Sequence, residues 1–120
     1  MTTVLIVDDR PVIRRLIAIS LGQEFEILEA QDGREALALI QTHKPRIVFL
    51  DVMMSGDLDG LQVLDIIKGD PLTRHILVAM VTGRGLASDG DDARKRGADA
   101  YFTKPFGPHD VLTWVRSALE

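Results

Sequence analysis

Three aspartates and one lysine are the residues best placed for chemistry, because each ends or follows a short apolar run. Asp8 and Asp9 close the first run, Asp51 closes a second, and Lys104 comes just after a third. If these runs are strands of one parallel sheet, their carboxyl ends share an edge, and ligands bind in the crevice outside it. Carboxylates suit a hard divalent cation, and a fixed ammonium suits phosphate. The spacing therefore predicts a site for a metal ion and phosphate chemistry.

The elements that must position those residues follow from the hydrophobic pattern. Short apolar runs occur at residues 3–8, 25–30, 46–51, 76–81 and 100–103. Helical patterns lie between the runs, and that alternation is typical of βαβ units. Three of the runs lack polar alternation, as expected for strands covered by helices on both faces. Right-handed crossovers then predict a flavodoxin-like (βα)5 doubly wound parallel sheet of order 2-1-3-4-5, with the aspartates at its switch point.

Four of the predicted helices carry an apolar stripe at helical spacing. In the first helix, which has Pro11 in its first turn, the stripe is Val12, Ile13, Leu16, Ile17 and Ile19. In the second it is Ala36, Leu37 and Ile40. The third helix should start near Gly60 with Asp59 as N-cap and bury Leu61, Leu64, Ile67 or their neighbours. The fifth should run from about Pro108 and bury Val111, Leu112, Val115 and Leu119.

The fourth predicted helix, roughly Ser88 to Arg96, has alanines as its only apolar side chains. Gly90 weakens its interior. Acidic residues in its first turns and basic residues in its last complement the helix dipole, and Gly97 can cap its end. Because few apolar contacts hold it, the sequence predicts a mobile element there.

Composition sets the outer bounds. A chain of 120 residues with 46% hydrophobic residues fits one globular domain, residues 1–120. The net charge of −4 argues against direct binding to nucleic acid, which needs a basic face. There are no cysteines for disulfides or thiol chemistry. No apolar stretch approaches the length of a membrane span or signal peptide, so we expect a soluble, cytoplasmic protein without membrane insertion.

Further residues join the aspartates in a pattern that resembles a family. They are Thr82 in Val81-Thr82-Gly83 after the fourth strand, and Tyr101 with Lys104-Pro105-Phe106 around the fifth. Together with Asp8-Asp9 and Asp51, they make the chain resemble a response-regulator receiver domain from Val4 to about Leu119. Each motif alone is weak, but the combination is highly specific.

The resemblance implies that Asp51 is a phosphoacceptor in two-component signal transduction. The donor would be a phosphohistidine on a histidine kinase or a histidine phosphotransfer protein. Asp8 and Asp9 would position Mg²⁺, or Mn²⁺, together with Asp51 and the main-chain carbonyl of Met53. Such a chain is not an enzyme with a separate substrate, because it catalyses only its own phosphorylation and dephosphorylation.

The resemblance also implies a switch. Lys104 would pair with one phosphate oxygen, and the Thr82 hydroxyl would donate to another. Tyr101 would then turn inward and alter the surface formed by the fourth helix, the fifth strand and the fifth helix. That surface would bind a downstream protein partner or a second copy of the chain. Phosphorylation switches of this kind bias an element that has two states.

Some positions depart from the family pattern. Ser55 stands where proline is usual, and the segment from Asp51 to Gly60 is one residue longer, which predicts a more flexible loop. Met53 and Arg84 occupy positions that tune the lifetime of the acyl phosphate in the family. Neither side chain would position a water molecule, which predicts slow hydrolysis. Family members commonly have a cis peptide bond at the matching Lys-Pro pair, which would aim Lys104 into the site.

Two alternative functions stay open. The first is an aspartate-nucleophile phosphohydrolase. Such enzymes usually have a second acid two residues after the nucleophile, and the presence of Met53 at that position disfavours this function. A receiver-like interaction domain that never accepts phosphate is disfavoured by the intact aspartates, Thr82 and Lys104. The altered Ser55 loop is the feature that favours it.

Other motifs are rejected. The segment 55–60 resembles the start of a calcium loop, but Ile66 stands where the bidentate glutamate is required. Gly83-Arg84-Gly85 lacks the lysine and hydroxyl residue of a P-loop. The histidines, at positions 43, 75 and 109, have no metal-ligand spacing.

Overall fold

A single parallel sheet organises the protein, whose structure is a computed structural model. The structure describes residues 1–54, 56–83, 87–104 and 106–120, and only the backbone of residues 87–90. In these ranges the strands are β1 (Thr2–Val7), β2 (Phe25–Ala30), β3 (Ile47–Asp51), β4 (Leu77–Thr82) and β5 (Ala100–Thr103). Their order is β2-β1-β3-β4-β5, and every neighbouring pair is parallel. The predicted topology is therefore confirmed.

Helices cover both faces of the sheet. They are α1 (Pro11–Leu21), α2 (Gly33–His43), α3 (Gly60–Gly69), α4 (Ala87–Lys95) and α5 (Pro108–Ala118). Helices α1 and α5 pack on one face, and α2, α3 and the buried Ala93 of α4 pack on the other. This is the predicted flavodoxin-like doubly wound fold in one small domain.

The central strands are apolar without alternation because both of their faces are buried. In β1, Val4 and Ile6 point toward the core under α1 and α5, whereas Leu5 and Val7 point toward the core under α2 and α3. All four side chains are almost completely buried. Burial of this kind stabilises the fold by about 1.5–3 kcal/mol per large aliphatic side chain.

Helix ends lie close to their predicted positions. Asp59 caps α3 in a reciprocal capping box, in which Asp59 accepts from the Gln62 N–H and Gln62 accepts from the Asp59 N–H, both at 2.9 Å. Gly97 follows α4 with a φ of 101°, a conformation that glycine adopts at little cost. Pro108 begins α5 as expected, and Val111 and Val115 are buried beneath it.

The structure corrects the expected burial of the α1 stripe. Ile17 is buried, but Val12 is 77% exposed, Leu16 40% and Ile19 71%. Residues four apart, Ile13, Ile17 and Leu21, line the face that packs on the sheet. Val12, Leu16 and Ile19 lie outside that face. They form an exposed apolar surface with Pro11 and Arg15, which we call the α1 patch.

Helix α4 is described at the side-chain level only for residues 91–95, where Ala93 is the apolar residue. Ala93 is fully buried. Just beyond the helix, Arg96 pairs with Asp65 of α3 at 3.0 Å and with Asp92 of α4 at 3.2 Å. These ion pairs, which the sequence did not reveal, tie the end of α4 to α3. The acidic residues predicted to complement the dipole of α4 include Asp89, whose side chain is not among those described. The mobility of α4 stays a prediction.

Candidate metal and phosphate site

The three aspartates meet at the carboxyl edge of the sheet. Asp8 follows the last residue of β1, Asp51 is the last residue of β3, and the pairing of Val7 with Leu50 places these strand ends side by side. Carboxylate oxygens of Asp8, Asp9 and Asp51 all lie within 4.8 Å of one another. The three acids that the sequence predicted at one edge of the sheet therefore lie close together in the structure.

Lys104 reaches the acidic cluster from the end of β5. Strand β5 runs beside β4, and the Lys104 backbone N–H donates to the Thr82 carbonyl at 2.6 Å. The Lys104 ammonium lies 3.0 Å from Asp8 Oδ2 and 3.5 Å from Asp51 Oδ2. One cation therefore contacts carboxylates from two different strand ends.

The side chain of Asp51 is only 6% exposed, and such burial disfavours its ionised form. Burial, and then the charge of Asp8, raise its pKa from 3.8 to about 6, against the opposing effects of Lys104 and the Met53 N–H. That N–H donates to Asp51 Oδ1 at 3.3 Å. A second cation at this site would favour the ionised form of Asp51, which is the nucleophilic one.

A glycine lets α3 approach the site. The Gly60 N–H donates to the Val52 carbonyl at 3.0 Å. A Cβ built on Gly60 would lie 1.9 Å from the Asp51 carbonyl oxygen, closer than any side chain can be accommodated without movement. Gly60 is thus required by contact with the backbone of Asp51, a role that the sequence did not reveal.

The segment after Asp51 is anchored at its far end. Arg34 of α2 makes a bidentate pair with Asp57, with contacts of 2.5 to 3.1 Å. Leu58 packs against the core, and the capped Asp59 follows. The predicted flexibility at Ser55 lies outside the described residues, as do Arg84 and the peptide bond after Lys104.

An open cleft leads to the aspartates. Its lining includes Asp9, Asp51, Met53, Thr82, Gly83 and Lys104. Thr82, the last residue of β4, is buried, whereas Met53 is 75% exposed. Tyr101 of β5 packs against the core under α3, and its hydroxyl oxygen is buried.

The donor set fits a hard divalent cation. Mg²⁺ is commonly held by one or two carboxylates and completes its octahedron with water and phosphate oxygens. The acids here supply such ligands within 4.8 Å, and Lys104 offers a fixed positive charge beside them. Phosphoryl transfer to a carboxylate uses the same parts: a metal ion, a cation and an aligned nucleophile.

Comparison with known proteins decides the family. The family model of the response regulator receiver domain matches residues 4–116. This chain belongs to that family. The receiver domain is 36% identical over 118 residues to the phosphate regulon transcriptional regulatory protein PhoB of Pseudomonas aeruginosa, covering 98% of this chain and 51% of PhoB. It therefore spans about half the length of that relative.

Solved structures agree with the assignment. A putative response regulator from Chloroflexus aurantiacus has a TM-score of 0.92 at 31% identity, covering 98% of this receiver domain and 97% of that chain. The receiver domain of NtrX from Brucella abortus has a TM-score of 0.85 at 37% identity, covering 97% of each chain. Among the helices described in this receiver domain, none has the length and apolar character that a membrane crossing needs.

Proposed function

We propose that residues 1–120 act as one phosphoacceptor receiver domain in two-component signalling, with Asp51 as the acceptor. The observation that carries the proposal is the contact of one ammonium, that of Lys104, with both Asp8 and Asp51 inside the acidic cluster. A strand end that needed only solvation would not gather three acids and a nearly buried lysine.

The chemistry follows from the placement of these groups. An Asp51 oxygen attacks phosphorus, and the phosphorus–nitrogen bond of a phosphohistidine breaks, with its electron pair staying on the imidazole. Asp8, Asp9, Asp51 and the Met53 carbonyl would hold Mg²⁺ or Mn²⁺, which neutralises the charge that gathers on the transferring oxygens. Lys104 already lies 3.5 Å from Asp51 and is placed to pair with a phosphate oxygen. The chain promotes only its own phosphorylation and dephosphorylation.

The proposed output is a change in the surface formed by α4, β5 and α5. Thr82 ends β4, its carbonyl accepts from the Lys104 N–H, and Tyr101 lies on the neighbouring strand. A phosphate that draws the Thr82 hydroxyl and Lys104 together would therefore act on β5 as well. The loosely anchored α4 is the element best suited to respond, and a downstream protein or a second copy would read the change.

The phosphoryl donor proposed here is a protein, a histidine kinase or a histidine phosphotransfer protein. Asp51 is buried, so a histidine side chain must enter through the cleft while its own protein rests on the rim. The α1 patch begins at Pro11, directly after the cleft residues Asp9 and Arg10. This exposed apolar surface supports a protein partner at that rim.

Intact mass after incubation with acetyl phosphate tests the proposal. We expect an adduct of one phosphoryl group that requires Mg²⁺ and disappears in Asp51→Asn. Asp57→Asn, which removes an exposed carboxylate from the same segment, should still form it. If the folded, metal-binding protein forms no adduct with acetyl phosphate or with a phosphohistidine protein, the phosphate-independent interaction domain becomes the better reading.

A further inference from the structure

Arg14 joins three elements behind the acidic cluster. From the first turns of α1, its Nη1 donates to the main-chain carbonyl of Asp8 at 2.7 Å, and its Nε donates to Glu29 of β2 at 2.9 Å. The Arg14 side chain is only 16% exposed. A largely buried guanidinium that donates both to a main-chain carbonyl and to a carboxylate has a well-defined position.

The Asp8 carbonyl is a sensitive point for the site. It belongs to the peptide group that links Asp8 to Asp9, so its direction sets the direction in which the chain leaves toward Asp9. The rest of Asp8 is already held, because its N–H donates to Ala30 and its carboxylate accepts from the Arg10 N–H and Lys104. Arg14 provides the contact that orients the peptide between the two acids.

We propose that Arg14 is a positioning residue for the divalent cation, acting through the Asp8–Asp9 peptide without touching the ion. The proposal deepens the proposed function, on which its choice of a divalent cation rests. Groups that orient metal ligands contribute about 10–100-fold to metal affinity. Arg14 acts on one of the acids through the backbone, so we expect an effect of about tenfold.

The charge of Arg14 and its positioning role predict opposite changes in the affinity for a divalent cation when Arg14 is replaced. This makes the proposal testable. Removing a cation near three carboxylates makes the site more negative, and electrostatics alone would tighten the binding of a divalent cation. Loss of positioning would weaken it, because the two acids would no longer be held in one arrangement. The sign of the change in affinity therefore separates the two roles.

The experiment titrates Mn²⁺ by electron paramagnetic resonance into the wild-type chain, Arg14→Ala, Arg14→Lys and Arg15→Ala. Arg15 is the exposed neighbour on the same helix, so its variant makes the same change in net charge. We expect Arg14→Ala to bind about tenfold more weakly and Arg15→Ala to bind at least as tightly as wild type. Arg14→Lys should lie between, since an ammonium keeps the charge but lacks the fork that reaches both acceptors.

Wild-type or tighter affinity in Arg14→Ala overturns the proposal. Far-ultraviolet circular dichroism and urea unfolding show whether each variant is folded. If Arg14→Ala does not fold, Arg14→Lys decides alone, and wild-type affinity in that variant overturns the proposal. The two failures are distinguishable, because the proposed function fails when the wild-type chain takes no phosphate, whatever the affinities of the variants.

Discussion

At the scale of single residues, Asp51 combines burial with a charge that its proposed function needs. Its side chain lies beside Asp8 and Lys104, and its pKa is raised to about 6 by burial and by Asp8. In the unfolded chain the value returns to 3.8. The folded state therefore binds the Asp51 proton more tightly than the unfolded state, and stability is lost as the pH rises between these two values.

Asp51→Asn should accordingly stabilise the metal-free protein near neutral pH by roughly 1–3 kcal/mol. The gain should shrink as the pH falls from about 6 to 3.8 and vanish below 3.8, where the wild-type carboxyl is protonated in both states. Urea unfolding in the presence of a chelator, at a series of pH values, measures it. Asp57→Asn is the control, because Arg34 lowers the pKa of that exposed carboxyl and no gain is expected. A gain in Asp51→Asn that did not vary with pH would contradict the argument.

Gly60 provides a second test at this scale. A methyl group on Gly60 would collide with the Asp51 carbonyl, whereas one on Gly69 of the same helix would meet nothing within 4 Å. Gly60→Ala should cost about 1–3 kcal/mol of stability and slow the phosphorylation of Asp51. Gly69→Ala should leave phosphorylation unchanged and the stability equal or higher. Equal behaviour of the two variants in urea unfolding and acetyl phosphate assays would refute the contact.

The predictable residues are those whose role depends on where a strand ends. Asp8, Asp51 and Lys104 follow apolar runs, so the sequence alone placed them at one edge. Gly60 and Arg14 could not be recognised in this way. Their roles arise from contacts with backbone carbonyls. Every residue has a backbone carbonyl, so the sequence does not show which carbonyl a given side chain or glycine contacts.

At the scale of elements, α4 is the helix that the sequence predicts to be least anchored. Among residues 91–95, whose side chains the structure describes, Ala93 is the buried one, and the pairs of Arg96 with Asp65 and Asp92 hold the end of the helix. The sequence predicted little apolar burial in this helix, because alanines are its only apolar side chains. The ion pair with α3 was not predictable, because it depends on how two helices lie side by side.

Arg96→Ala should therefore loosen α4 without unfolding the domain. We expect amide hydrogen exchange to accelerate in residues 91–97, while exchange in β1 and β3 stays at the wild-type rate. Arg94→Ala is the matched control, since Arg94 pairs within α4 with Asp91 at 3.6 Å. Its effect should be smaller. Equal protection of residues 91–97 in wild type and Arg96→Ala would show that the pair with α3 does not hold the helix.

At the scale of the whole molecule, the doubly wound fold places the acidic cluster and the start of the α1 patch at one edge of the sheet. The cleft opens at the carboxyl ends of the strands, and the α1 patch begins where the cleft lining ends. The fold class was predictable from alternating apolar runs and helical stripes. The exposed part of the α1 stripe was not, because periodicity shows which residues are apolar and only the crossing of helix and sheet decides which are covered.

Ile19→Ser tests whether the α1 patch meets the phosphoryl donor. Transfer from a phosphohistidine protein should slow by about tenfold, as expected when an apolar contact at a binding hot spot is truncated. Phosphorylation by acetyl phosphate should be unchanged. Leu72→Ser is the control, because Leu72 is 81% exposed but lies before β4, at the opposite edge of the sheet. Equal slowing with both donors would show that the substitution disturbs the phosphoacceptor site itself. No slowing with the phosphohistidine protein would show that the α1 patch is not part of the interface with the donor.

Chemical trapping of the acyl phosphate is the decisive measurement for the phosphoacceptor. The chain is incubated with Mg²⁺ and acetyl phosphate, reduced with borohydride, digested and sequenced by mass spectrometry. One hydride displaces phosphate from an aspartyl phosphate to give an aldehyde, and a second hydride reduces the aldehyde to the alcohol of homoserine. We expect homoserine at position 51, and none without Mg²⁺. Homoserine at Asp8 or Asp9 instead, or its absence from a chain that carries phosphate, would contradict the assignment of Asp51.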